Sequence, residues 1–158
     1  LRLVGSYLHE RYDLSSAGVK TSYEGSSGFP EWTGVLTGAY RRGPLRLTAT
    51  ARYTDEMLLN RNWNYNGTST RWDVLDNTID ERIILNARVN YTFDLFGGFL
   101  DLFGIVNNVF DKWPEQLDAG EYSAIFGGDF GNANWGTAPN QDRRGRIYTF
   151  GVQFERDM

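Results

Sequence analysis

"LRLTATARYT", Leu45–Thr54, alternates without a break: Leu45, Leu47, Ala49, Ala51 and Tyr53 are apolar or aromatic, and Arg46, Thr48, Thr50, Arg52 and Thr54 can all hydrogen-bond. Successive side chains of a β-strand point to opposite faces, so period two over this length predicts a strand with one apolar and one polar face. A helix would need its apolar residues three and four apart, which they are not.

The same pattern recurs twice. In "RIILNARVNYTF", Arg82–Phe93, the residues Ile83, Leu85, Ala87, Val89, Tyr91 and Phe93 share a face opposite Arg82, Asn86, Arg88, Asn90 and Thr92, and only Ile84 interrupts the polar row. In Arg146–Phe154, Tyr148, Phe150, Val152 and Phe154 oppose Thr149, Gly151 and Gln153. Leu1–Tyr12, Thr33–Arg42 and Phe99–Phe110 read as three further strands. These spans exceed the ~5–6 residues of an ordinary strand and approach the ~9–11 of a tilted membrane strand.

The connections alternate in length. Gly43-Pro44 and the "DLFGG" stretch after Phe93 are hairpin-type turns, whereas Asp13–Trp32, Asp55–Glu81 and Asp111–Arg143 are long. In an up-and-down meander every short turn then lies at one end of the sheet and every long loop at the other. Structureless loops beyond ~12–15 residues are uncommon in compact domains, but short turns on one side and long loops on the other are the habit of outer-membrane barrels.

Composition bounds the remaining choices. With 41% hydrophobic and 15% aromatic residues the chain of 158 is not a disordered tract. Mean hydropathy is negative and no apolar run approaches the ~20 residues of a membrane helix, although alternating membrane strands leave a much weaker signal. A net charge of −4 with scattered basic residues argues against a nucleic-acid partner. The absence of cysteine excludes disulfides and thiolate metal sites. The start at Leu1 is expected of a piece of something longer or of a processed product.

"IVNNVFDKWP", Ile105–Pro114, closes the fifth of these strands. Asn107 and Asn108 can satisfy backbone groups where pairing ends. Val109, Phe110 and Trp113 suit a headgroup level, where aromatic residues are favoured. Asp111, Lys112 and Pro114 carry the chain into water.

These residues also carry a family resemblance. "NNVFDKWP" resembles the N-N-L-F-D-K-x-P element of TonB-dependent outer-membrane receptors, through Asn107, Asn108, Phe110 and Asp111. "RRGRIYTFGVQF", Arg143–Phe154, is similar to that family's last strand through Gly145, Arg146, Tyr148, Gly151 and Phe154. "FPEW" at Phe29–Trp32 with "LTGAYRRGPLRLTATARYTD", and "ILNARVNYTFD", resemble its late strands. One departure is "ERDM" after Phe154, where such barrels usually end on the aromatic residue.

The resemblance implies an all-β fold: a partial, antiparallel up-and-down transmembrane β-barrel. Residues 1–158 would be about six C-terminal strands of a barrel of about twenty-two, with short periplasmic turns and long external loops. The plug domain, the TonB-binding segment and the other strands would lie elsewhere in the same receptor. It further implies active uptake of a scarce nutrient across the outer membrane of a Gram-negative bacterium, with energy delivered by TonB. The partners would be the plug, the remaining strands, TonB, outer-membrane lipid and a small-molecule substrate, with no cofactor and no catalysis.

Several residues are candidates for function. The loop aromatics Trp63, Tyr65, Trp72, Trp113, Tyr122 and Trp135 could stack on a ligand, or could equally hold the loops together or sit at a membrane boundary. Arg46, Arg52, Arg82 and Arg88 belong to polar faces, where lumenal hydrogen bonding and ion pairing with a plug are expected. His9 has no second histidine or cysteine to work with, so a strand-end side chain is the expected reading. Asp55, Glu56, Asp73, Asp76, Asp80 and Glu81 match no EF-hand spacing and read as solvated loop charge. "GGDFGNANWG", Gly127–Gly136, reads as external loop, not a phosphate cradle. Two rival functions remain: a soluble β-sheet carbohydrate-binding module using the tryptophans, and a passive porin without a plug.

Overall fold

The computed structural model describes residues 1–58, 78–95, 97–113 and 144–156. Six strands form one antiparallel sheet: β1 (Arg2–Tyr7), β4 (Trp32–Arg42), β5 (Leu45–Thr54), β8 (Arg82–Leu95), β9 (Gly98–Asn107) and β10 (Ile147–Arg156), paired in that order. Each strand lies beside its predecessor, so the sheet is an all-β meander, as the alternation predicts. No pairing joins β1 to β10, and among the described residues the outer edges of both are free.

The two tight turns have a simple cause. At Gly43-Pro44 the ladder closes on Arg42 opposite Leu45, and the glycine has φ +55°, which a residue with a Cβ rarely adopts. At the β8–β9 turn Leu95 faces Gly98, and Gly97 has φ +74°. All three long connections leave from the opposite end of the sheet.

Register extends the alternation across the whole sheet. Ala49 faces Gly38 on one side and Ala87 on the other, Ala87 faces Val106, and Val106 faces Tyr148. Direct partners share a face. One face therefore collects Leu36, Leu47, Leu85, Val89, Leu102 and Phe150, and the other collects the arginine, threonine and asparagine rows. The apolar face is uncovered: Val152 is 66% exposed and Phe150 79%. The hydrophobic residues that are buried among those described, Met57 and Ile79, lie outside this sheet.

Several boundaries differ from the sequence reading. The first strand was expected to run to Tyr12 but leaves the sheet after Tyr7, because His9, Glu10 and Arg11 offer three polar residues in a row and break the alternation. Tyr12–Leu14 (β2) instead pairs with Lys20–Ser22 (β3) in a separate hairpin. There the Lys20 ammonium pairs with Glu10 and sits 4.3 Å from the Tyr12 ring centroid. The fifth strand ends at Asn107 instead of Phe110, since Asn108 turns into the left-handed region at φ +54°. The fourth continues to Leu95, and the last runs from Ile147 to Arg156. The second long connection also contains a small ladder, Met57–Leu58 (β6) with Thr78–Ile79 (β7). The first two long connections are thus partly structured, and Leu58 N–H donating to Gly25 O (2.7 Å) ties them together.

Candidate functional site

At the long-loop end of β9 the two family-like motifs meet. Asn108, 6% exposed, receives support from three directions. Its N–H donates to Asn86 Oδ1 of β8 (2.9 Å), its Nδ2 donates to Lys112 O (2.9 Å), and its Oδ1 accepts from Lys112 N–H (2.9 Å). Asp111 N–H donates to Asn108 O (2.9 Å) and Val109 N–H to Leu85 O (2.8 Å). An asparagine suits the site because its amide supplies both donor and acceptor and tolerates a positive φ. Arg82 Nη2 donates to Lys112 O (2.9 Å), which fixes the turn to the start of β8.

Asp111, itself at φ +53°, then reaches the second motif. Its Oδ1 accepts from Arg146 N–H (2.7 Å), immediately before β10 begins. A Cβ on Gly145 would lie 2.8 Å from that same Oδ1 and 3.4 Å from the Trp113 ring, so this approach needs glycine. Arg146 Nη1 donates to Tyr148 Oη (3.1 Å). That bond, followed by attraction to Tyr148 and Asp111, pushes the guanidinium further above its ordinary value; it is cationic at any working pH. Gly151 lies under Phe103, whose ring occupies the space a Cβ would need. These motif residues are therefore a brace that sets the register of β10 on β9. Phe110 and Trp113 extend outward from it, 65% and 64% exposed.

The polar face holds two cavities. Toward the long loops, a cavity of about 530 Å³ is lined by Arg52, Thr54, Arg82, Asn86, Asn108 and Arg144 among others. Toward the tight turns, one of about 990 Å³ is lined by Arg41, Arg46, Thr48, Arg88, Asn90 and Asp101 among others. The four arginines expected on polar faces thus share one face, Arg52 and Arg82 at one end and Arg46 and Arg88 at the other. Arg88 is oriented by its Nε donating to Asn90 Oδ1 (2.7 Å) and by the Phe103 ring 5.2 Å away. Arg41 and Arg144 were not singled out from sequence. Arg41 could have been, since it stands in phase with Thr33 and Thr37; Arg144 precedes its strand and carries no periodic signal.

Of the candidate ligand aromatics, Trp113 lies against Gly145, and Trp63, Tyr65, Trp72, Tyr122 and Trp135 lie outside the described residues, as do Asp73, Asp76 and Gly127–Gly136. Asp55 accepts from the Tyr53 hydroxyl (2.6 Å), and Asp80 lines the smaller polar-face cavity. No group of three or more His, Asp or Glu side chains among the described residues is arranged to hold a metal ion. His9 is exposed, 6.2 Å from the Tyr7 ring. In the β2–β3 hairpin the hydrogen bond to Glu10 raises the Lys20 ammonium above its ordinary value. The sequence matches no protein-family model, and neither a curated protein nor a solved structure matches it.

Proposed function

We propose that this chain is part of the wall of an outer-membrane β-barrel in a Gram-negative bacterium, and that the barrel is a TonB-dependent receptor for active nutrient uptake. The observation that carries the membrane reading is the uncovered apolar face and its margins. Tyr7, Trp32 and Tyr53 stand near the long-loop end of that face, with Tyr7 and Trp32 stacked 4.6 Å apart. Tyr40, Tyr91, Phe93 and Phe154 stand toward the tight-turn end, with Tyr91 and Phe93 4.5 Å apart. Between them lie Leu36, Leu47, Ala49, Ala51, Leu85, Ala87, Val89, Leu102 and Val106, with Tyr148 and Phe150 on β10 level with Val106 and Gly104. An aliphatic band between two aromatic girdles is what a lipid-facing barrel surface presents.

Dimensions agree. Ten residues of β5 at ~3.4 Å each span ~34 Å, and a tilt of ~40° reduces that to a height of ~26 Å, close to the ~25 Å apolar band of outer-membrane barrels. A soluble sandwich would bury this face under a second sheet. The free edges of β1 and β10 suit further strands that complete the barrel. The receptor assignment rests on the motif residues, whose brace from Asn108 to Arg146 gives the resemblance a structural role.

In this reading the long loops face outward, the tight turns face the periplasm, and the polar face lines the lumen. There Arg46, Arg52, Arg82 and Arg88 meet the plug, water or substrate. External loops and lumen capture the ligand, and TonB acting on the plug admits it. Fractionation of cells carrying the full-length protein tests both levels. The expected result is an outer-membrane protein whose mobility on SDS gels changes on heating and which cross-links to TonB in vivo. Recovery in the soluble fraction would remove the membrane reading, and an outer-membrane location without a TonB adduct would favour a porin.

A further inference from the structure

Arg41 and Arg46 are direct cross-strand partners on the polar face of β4 and β5. Like charges placed opposite one another destabilise a sheet, yet here neither guanidinium is in an ion pair among the described residues. Both are exposed, and both line the cavity of about 990 Å³. A third arginine enters the same wall: Arg46 faces Asn90, and Arg88 is two residues along β8 on the same face. Arg88 is already held in place by Asn90 and the Phe103 ring. Thr48, Asn90 and Thr92 add neutral hydrogen-bonding groups to the lining.

We propose that Arg41, Arg46 and Arg88 form a binding site for a small anion bearing a carboxylate or phosphate group. A guanidinium fork matches either group in a bidentate geometry, and an anion between Arg41 and Arg46 turns a repulsive pair into two attractive contacts. Asp94 of β8 and Asp101 of β9 also line the cavity. They repel a large polyanion, so the site takes a compact anion seated against β4 and β5. In the proposed receptor this wall belongs to the lumen beside the plug, and the site rests on that cavity remaining open to water there.

The test uses the full-length protein in a non-ionic detergent, titrated calorimetrically with inorganic phosphate and with citrate. Saturable binding of at least one is expected, weakened about tenfold or more in Arg46→Gln, because a hydrogen bond to a charged group is lost. Arg156→Gln, at the far edge of the sheet, should bind as the parent does. Thermal unfolding gives a readout that survives a poorly folding Arg46 variant. Without anion, Arg41→Gln should melt no lower than the parent, since it relieves the like-charge pair. With anion, the parent should gain stability and Arg41→Gln should gain much less. Failure of both anions to bind, or equal binding by the parent and Arg46→Gln, would overturn the proposal. An Arg41→Gln protein that responds to anion as the parent does would also overturn it.

Discussion

Ala49 offers the sharpest separation between a lipid-facing sheet and a packed one. It stands mid-strand in β5, between Gly38 and Ala87 on the apolar face. Leu45 and Thr54, the strand ends, are four and five residues away, or ~14–17 Å along the strand and ~10–13 Å in depth once tilted. An arginine side chain reaches only part of that distance, so Ala49→Arg leaves a charge near the middle of the apolar band at a cost of about 2–4 kcal/mol. Thr50→Arg, one residue on, enters the polar face between Thr37 and Asn86 and forfeits only the 3.4 Å hydroxyl contact with Thr37, worth about 1 kcal/mol or less. Ala49→Leu adds volume over a shallow depression lined by Gly38, Ala87, Val89, Gly104 and Phe150 among others, so a lipid-facing site accepts it. In a close-packed core the same change costs about 1–3 kcal/mol. The assay is urea-induced unfolding of the full-length protein refolded into lipid vesicles, followed by tryptophan fluorescence. Ala49→Arg as stable as Thr50→Arg would refute the lipid-facing assignment, and a destabilised Ala49→Leu would indicate a packed face.

Further predictions follow from the brace and the turns. Asp111→Ala removes the acceptor of the Arg146 N–H and should cost about 1 kcal/mol; Gly145→Ala, which displaces the same carboxylate, should cost a similar amount, and the double variant less than their sum in denaturant titration because one contact cannot be lost twice. Gly98→Ala directs a methyl at the Glu155 carbonyl of the neighbouring strand and should cost about 1–3 kcal/mol by the same assay, whereas an unchanged midpoint would mean that β9 and β10 separate easily there. Protease added to intact cells should cleave within residues 111–143 and spare Gly43-Pro44, and cleavage confined to the tight turns would show the opposite orientation.

Period-two patterning is local, and for that reason the sequence alone determined most of the sheet. From Leu45–Thr54, Arg82–Phe93 and Arg146–Phe154 it is possible to name the strands, their two faces and the all-β class, because each strand carries its own alternation. Gly43-Pro44 and the glycines after Phe93 mark the tight turns by backbone chemistry that needs no partner. The strand ends were less legible. Tyr12 and Phe110 continue the composition of their strands but not the pairing, and pairing is decided by the neighbouring strand. Nothing in a single segment shows that Asn108 would turn at a positive φ.

Tertiary structure decided the rest through register. Asp111 and Arg146 are separated by 35 positions, yet the β9–β10 ladder brings carboxylate and amide to 2.7 Å. Gly145 carries part of the family resemblance in the sequence, but why a glycine is needed there shows only when that carboxylate approaches it. Arg46 reads in the sequence only as one member of a polar face and Arg41 is not singled out at all, and only the hairpin at Gly43-Pro44 sets them opposite each other on one wall of a cavity. Each strand encodes which way its own side chains point, but which of them meet depends on the offset between strands, and that offset is fixed only when turns, ladders and braces have formed together.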